Sequence, residues 1–290
     1  MIKCIASDMD GTLLSSKQTI SEENRTAIKR AQESGIEVVI ATGRSYQEAI
    51  YLLQEAGISC PIITTNGAEI RSETGERIAS FPLQGEKARK IADYLDQKEM
   101  YYEVFTNEGT YIKDYEKGLA TIIDILSSAN PYFDPDRFLE NAKERIKRES
   151  VRIIDDYQPL FVDPNIEILK ILAFSLDVGK KKEVEQYLLQ FDVAVSSSGY
   201  DNLEITDIHA QKGLALEYFT RERKIKMEET MAIGDSYNDL SMFSRVGMAV
   251  AMGNANAEIK EKADQVTATN DENGVAKAIL QSLKISNPRE

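Results

Sequence analysis

The 290-residue chain sets 35 Lys and Arg against 48 Asp and Glu, a net charge of -13, with 42% hydrophobic and 29% charged residues. Disordered and low-complexity chains are excluded by that composition, and generic attraction to nucleic acid or an anionic membrane is disfavoured. Two cysteines, Cys4 and Cys60, and a single histidine, His209, are too few for a disulfide scaffold or a zinc site.

Met1–Asp8 is a short apolar stretch that soon meets carboxylates, unlike a signal peptide, and no apolar run approaches membrane-spanning length. A soluble protein of a reducing compartment, cytoplasmic, is expected. Ile2–Ser7 predicts a buried strand. Ser21-Glu22-Glu23 supplies an N-cap with acids in the first turn for a helix over Asn24–Ser34, stopped by Gly35. Ile36–Ala41 predicts the next strand, Ser45–Ala56 a helix ended by Gly57, and Pro61–Thr65 a third strand running into Asn66-Gly67. Such alternation is the pattern of a parallel sheet covered by helices.

The period then changes. Glu69–Arg71 and Arg77–Ala79 flank a Gly-containing loop and predict a hairpin. From about 84 to 195 the pattern predicts a helix (Glu86–Lys98), aromatic strands (Tyr101–Thr106 and Tyr111–Asp114), polar helices between Glu116 and Glu149, a strand (Ile168–Ser175), a helix (Lys180–Gln190) and a strand (Val193–Ser197). This is an α+β unit with antiparallel pairing. Strand–helix alternation resumes after Leu203-Glu204-Ile205, with a helix over Gly213–Arg223, a strand over Thr230–Gly234, a short helix near Asp239–Ser244, a strand over Met248–Met252 and a last helix over Val275–Leu283. The fold class expected is α/β, a doubly wound parallel-sheet core with an inserted α+β cap domain. The expected boundaries are 1–82 and 198–290 for the core and 83–197 for the cap. Residues Ile285–Glu290 are expected to fray.

In a doubly wound sheet, ligands bind outside the carboxyl ends of the strands. Asp8-Met9-Asp10-Gly11-Thr12-Leu13 lies directly after the first strand, so Asp8 and Asp10 emerge at that edge. Thr42-Gly43-Arg44 and Gly234-Asp235-Ser236-Tyr237-Asn238-Asp239 follow two other strands. Parallel neighbours lie about 4.8 Å apart, close enough for carboxylates from adjacent ends to share one small cation. With no Cys or His at hand, carboxylates suit a hard ion, Mg²⁺ before zinc. A plainer reading stands beside this one: Asp8 and Asp10 as turn acids solvating a loop, Asp235 and Asp239 as helix caps. Lys212 precedes a helix at a domain junction, where its cation could hold both Asp8 and a phosphate oxygen, or sit on a solvated face. Arg44 has a similar case.

The fragments Asp8-Met9-Asp10-Gly11-Thr12, Thr42-Gly43-Arg44, Asn66-Gly67-Ala68, Lys212-Gly213, Gly234-Asp235-Ser236-Tyr237-Asn238-Asp239 and Met252-Gly253-Asn254-Ala255 occur in the order of the haloacid dehalogenase superfamily. The chain resembles its Cof-type subgroup, with a cap of the second structural class. Asp207–Gln211 departs from the family's pattern. The resemblance implies a phosphatase in which Asp8 is the nucleophile forming an aspartyl-phosphate, Asp10 the acid and base, and Lys212 the cation beside Asp8. It also implies Mg²⁺ held by Asp8, the Asp10 carbonyl and Asp235, with Asp239 near the metal or orienting Lys212. Thr42, Gly43, Arg44, Asn238 and the amides after Asp8, beginning at Met9, would contact the phosphoryl oxygens.

The inserted domain is then a lid that confers specificity. Tyr101, Tyr102, Phe105, Tyr111 and Tyr115 could stack a base or sugar, or simply form core, and His209 is a junction residue that could touch substrate. The expected partner is a small phosphorylated metabolite such as a sugar phosphate or a flavin-pathway phosphate, with no nucleic acid or membrane, and the chain a monomer or weak homo-oligomer. Alternatives are a non-catalytic metabolite-binding or phosphorylatable module on the same fold, and a phosphomutase-type phosphotransferase.

Overall fold

β1 (Cys4–Ser7) is buried at every position, which requires cover on both faces of its sheet. The computed structural model describes residues 1–116, 118–120, 123, 135, 136, 139, 140, 143, 151–198 and 201–286. Beyond β1, the chain forms β2 (Glu37–Ala41), β3 (Ile62–Thr64), β4 (Glu69–Arg71) and β5 (Arg77–Ser80), then β6 (Tyr101–Thr106), β7 (Gly109–Ile112), β8 (Val151–Ile153), β9 (Ile168–Phe174), β10 (Val193–Ser196) and β11 (Asn202–Asp207), then β12 (Thr230–Gly234), β13 (Met248–Ala251) and β14 (Gln265–Val266). Two compact units result: Met1–Ser80 with Ala210–Glu290, and Phe81–His209.

The first unit holds an eight-stranded sheet in the order β14-β13-β12-β1-β2-β3-β4-β5. Its strands from β14 to β3 run parallel, and the hairpin β4–β5 closes the edge antiparallel. β1 lies between β2, reached by the first crossover, and β12, reached only after the inserted unit. That is the switch point at which such sheets form ligand crevices. Helices Glu22–Glu33 and Gly274–Ser286 pack on each other and help bury Ile5, Ile28, Val38, Met231 and Ile279. Ser21 starts the first of these by accepting from the Asn24 amide, and Ser45 with Glu48 forms a reciprocal capping box on helix Tyr46–Glu55.

The second unit is a six-stranded sheet, β10-β11-β9-β6-β7-β8, antiparallel except for the parallel pair β7–β8. Helices Gly85–Gln97 and Val178–Leu188 supply Ile91, Leu95, Val184 and Leu188 to its core, which includes Tyr102, Val104 and Ile171. The expected return to the core at 198 is corrected here: Asn202–Asp207 pairs with β9 and β10, so the second unit runs to His209. An alternating strand reads the same locally whichever sheet receives it. β8, β14 and the short helices Gln158–Val162 and Ala257–Lys260 are not legible as elements from the sequence, and most of the stretch expected to be helical between Glu116 and Glu149 lies outside the described residues.

Of the aromatic set, Tyr102 and Tyr111 belong to the second unit's core, and Phe105 is buried beneath the Lys170 ammonium, 4.4 Å from its ring centroid. His209 is exposed, its amide donating to Asp207. Both cysteines are free and buried; burial pushes the Cys60 thiol up to about 12. No helix among the described residues is long and apolar enough to cross a membrane.

Tyr157 ties the second unit together: its hydroxyl donates to the Tyr102 carbonyl at 2.9 Å and accepts from the Lys113 amide at 2.9 Å. Tyr157→Phe leaves both backbone groups without that partner, a loss of about 1–3 kcal/mol. Amide exchange at Lys113 is therefore expected to speed up by about tenfold or more, and an unchanged rate would contradict this role.

Candidate active site

Each side chain of the site is delivered by the end of a strand or the start of a helix. The Asp8 amide donates to the Ile233 carbonyl at 3.0 Å, continuing the β1–β12 pairing by one residue and setting Asp8 beside the loop that carries Asp235. Thr42 leaves β2 in the same way, its amide on the Ile63 carbonyl at 2.8 Å. After Asp8 the chain turns tightly over Met9–Leu13, with Gly11 at φ 72°. A Cβ at Gly11 would run into the Asp235 carboxylate, so glycine is needed there for close approach as well as for its backbone. The Asn254 side chain donates to the Gly11 carbonyl at 2.8 Å and fastens the turn.

Lys212, first residue of helix Lys212–Glu222, is the buried cation of the site. Its Nζ lies 2.6 Å from Asp8 Oδ1 and 2.7 Å from Asp239 Oδ1, with no exposure of the lysine or Asp239 side chains and 7% of the Asp8 side chain. The other oxygen of Asp239, Oδ2, accepts from the Asp235 and Ser236 amides at 3.0 Å each. Asp239 thereby caps its own loop and orients the lysine at once, so the capping reading applies to it. Asp235 instead accepts from the Thr12 hydroxyl at 2.7 Å.

Two carboxylates thus share one ammonium, with a third, Asp235, beside them. Burial pushes the Asp8 carboxyl well above the usual carboxylate range; Lys212 opposes the rise, and Asp239, Asp235 and Asp10 add to it. Burial and then Asp239 push Asp235 up to about 7 against the pull of Thr12 and Lys212. For Lys212 burial acts downward, but Asp239 and Asp8 outweigh it and hold the ammonium charged.

Carboxylate oxygens of Asp8, Asp235 and Asp239 all lie within 4.8 Å of one another, a group that could hold a metal ion. Both oxygens of Asp239 are engaged, whereas Asp8 and Asp235 each keep one that no hydrogen bond from the described residues engages. Two carboxylate oxygens on adjacent strand ends, on buried Asp8 and half-buried Asp235, with no nitrogen or sulfur donor, fit a hard divalent cation.

The remaining expected residues divide between this cluster and its margin. Asp10 gives its half-exposed carboxylate to Arg44, whose Nε and Nη2 donate to it at 2.7 and 2.6 Å. Arg44 also donates to Gln18. The Met9 side chain is fully buried in the core, so only its backbone faces the turn. Thr42 is buried, and its Oγ1 accepts from the Arg44 amide at 3.1 Å. Asn238 is nearly buried and donates to Asn66 at 3.3 Å. Sequence reasoning misses the contributions of Thr12 and Asn254, although both lie in the motif fragments: a hydroxyl one residue after a motif glycine is the available signal.

The model of the haloacid dehalogenase-like hydrolases matches residues 5–279. The chain is 42% identical over 285 residues, covering 97% of it and 98% of the relative, to a 5-amino-6-(5-phospho-D-ribitylamino)uracil phosphatase, YwtE, of Bacillus subtilis. It is 38% identical to the phosphatase YwpJ of the same organism, over 95% of this chain and 98% of that one. A solved haloacid dehalogenase-like hydrolase from B. subtilis superposes with a TM-score of 0.87 at 37% identity, covering 96% of this chain and 99% of the other. The chain belongs to the haloacid dehalogenase-like hydrolases, of Cof type. Within that family it is a phosphatase.

The raised Asp235 carboxyl has a thermodynamic consequence. Between about pH 4 and pH 7 the folded, cation-free protein keeps a proton that the unfolded chain has lost, so its stability falls as pH rises through that window. A divalent cation held by this group would favour the ionised form and offset the fall. The rise in melting temperature on adding Mg²⁺ should therefore be larger at about pH 8 than at about pH 5, and Asp235→Asn should reduce the difference. An equal rise at both pH values in the unaltered protein would contradict this assignment.

Proposed function

We propose that this chain is a Mg²⁺-dependent phosphatase of small phosphate monoesters that works through an aspartyl-phosphate on Asp8. The observation that carries the reading is the buried Asp8–Lys212 pair at the junction of β1 and β12, with Asp235 beside it. A carboxylate so desolvated gains nucleophilicity only if its charge is stabilised, and Lys212 supplies that charge.

Asp8 attacks phosphorus, the bond to the leaving oxygen breaks, and Asp10 gives that oxygen a proton. A water then loses a proton to Asp10 and attacks phosphorus, the bond to Asp8 breaks, and phosphate leaves with both acids restored. Arg44 holds the Asp10 carboxylate as an anion by two hydrogen bonds, so Asp10 leaves Arg44 when it carries the proton that it passes to the leaving oxygen. Thr42, Asn238 and the amides that follow Asp8, with Gly43 and Arg44, form the phosphate side of the site, where donors offset the charge of the transferring group. Asp8, Asp235 and the Asp10 carbonyl would hold Mg²⁺, with Asp239 supporting the set through Lys212; the ion, when bound, offsets the charge of the phosphoryl oxygens.

The substrate class we infer is a phosphorylated polyol or sugar of the kind named for the first relative, a ribityl phosphate on an aminouracil. A panel of phosphorylated sugars and flavin precursors assayed by phosphate release tests that choice.

Asp8→Asn removes the attacking charge and keeps the volume. It should lower release of phosphate from para-nitrophenyl phosphate by about a thousandfold or more while the circular dichroism spectrum is kept. EDTA should stop the unaltered protein until Mg²⁺ is returned. Normal turnover by Asp8→Asn would refute the covalent route, and full activity in EDTA would refute the need for a divalent ion.

A further inference from the structure

The turn Thr65-Asn66-Gly67 that follows β3 has three consecutive residues of positive φ, 47°, 58° and 101°. Asn and Gly tolerate the left-handed region, but a β-branched threonine does not do so without strain. Thr65 is also 1% exposed, and its Oγ1 has no hydrogen-bond partner among the described residues. A segment that loses stability twice persists when its surroundings demand that shape, and such segments gather at functional sites.

What the shape achieves is visible in its contacts. The Thr65 amide donates to the Arg44 carbonyl at 2.9 Å and the Asn66 amide to the Thr42 carbonyl at 3.0 Å, which pins the segment Thr42-Gly43-Arg44 from below. Gly67 lies against the Gln211 carbonyl, where any Cβ would collide, so the residue before Lys212 is set by this turn as well. Asn66, 3% exposed, presents its Oδ1 to Asn238 Nδ2 at 3.3 Å.

We propose that Asn66 is a positioning residue of the phosphoryl-transfer site, which fixes the direction in which Asn238 turns its carboxamide. The proposal rests on the reading of Asn238 as a phosphate contact. A carboxamide is a donor at one end and an acceptor at the other, and rotation about its last torsion exchanges them at little cost. Turned the wrong way, Asn238 would aim an oxygen lone pair at a phosphoryl oxygen. The Asn66 oxygen selects the orientation in which Nδ2 lies on its own side of Asn238, one N–H donating to Asn66 and the second being the one that would meet a phosphoryl oxygen, and the strained turn carries the Asn66 oxygen into place.

The test is a double-mutant cycle. Asn66→Gly removes the side chain and keeps the left-handed backbone. With Mg²⁺ present, the inhibition constant of inorganic phosphate and kcat/KM for para-nitrophenyl phosphate are measured for the wild type, Asn66→Gly, Asn238→Ala and the double variant, with melting temperatures alongside. Asn66→Gly should weaken phosphate inhibition by about five- to tenfold in the wild-type background and by less than about twofold in the Asn238→Ala background. An equal factor in both backgrounds would mark Asn66 as structural only and overturn the proposal, as would no change in the wild-type background. Should Asn66→Gly fail to fold, Asn66→Ser, whose side chain is too short to keep the contact, completes the same cycle. A wild-type chain that releases no phosphate would remove the reading of the site as well, whereas active enzyme with additive variants removes this proposal alone.

Discussion

A single ammonium buried among carboxylates is the constraint on which the site depends. Lys212 loses its hydration completely, and Asp8 and Asp239, 2.6 and 2.7 Å away, make that burial tolerable. In turn the acids cannot crowd together without it. Taking either partner from a buried pair leaves an unpaired charge, at a cost of about 3–5 kcal/mol, so the lysine and the acids hold one another in place. The arrangement is still short of positive charge, because Asp235 is the third carboxylate in reach. A site built this way could hold a cation.

The fold delivers these groups by geometry available to any parallel sheet. β1 and β12 are neighbours in register, so Asp8 and the loop beginning at Asp235 emerge side by side. The inserted unit separates them in sequence but not in space. Glycine makes the last approach possible: Gly11 lets Asp235 come within reach of Thr12. Asn254 and Asn270 then lace the turn after Asp8 to the far loops, through the Gly11 and Leu14 carbonyls. Rigid strand ends and small residues at the crossings keep the acids close without side-chain flexibility.

Local periodicity makes much of this legible. Ile2–Ser7, Ile36–Ala41 and Thr230–Gly234 are readable as strands because β-branched runs bounded by polar turns have few other uses. Asp8, Asp10, Asp235 and Lys212 stand out because they follow such runs or open a helix. Pairings between distant residues are not legible. Leu203-Glu204-Ile205 looks like a return to the first sheet, and only its partners β9 and β10 assign it to the second. The fork of Arg44 on Asp10 and the contact of Asn66 with Asn238 join residues 34 and 172 positions apart, and no local pattern encodes them. Side-chain direction decides them, and it is set by the complete backbone.

The claim at the centre is that phosphorus bonds transiently to Asp8. Mixing enzyme with excess substrate, quenching in acid within the turnover time and mapping the peptides by mass spectrometry tests it directly. A phosphoryl group on the peptide that carries Asp8, lost when the enzyme is allowed to finish turnover before the quench, is the result this account predicts. Full phosphate release with no phosphorylated peptide at any quench time, or with the group on a different residue, would contradict it.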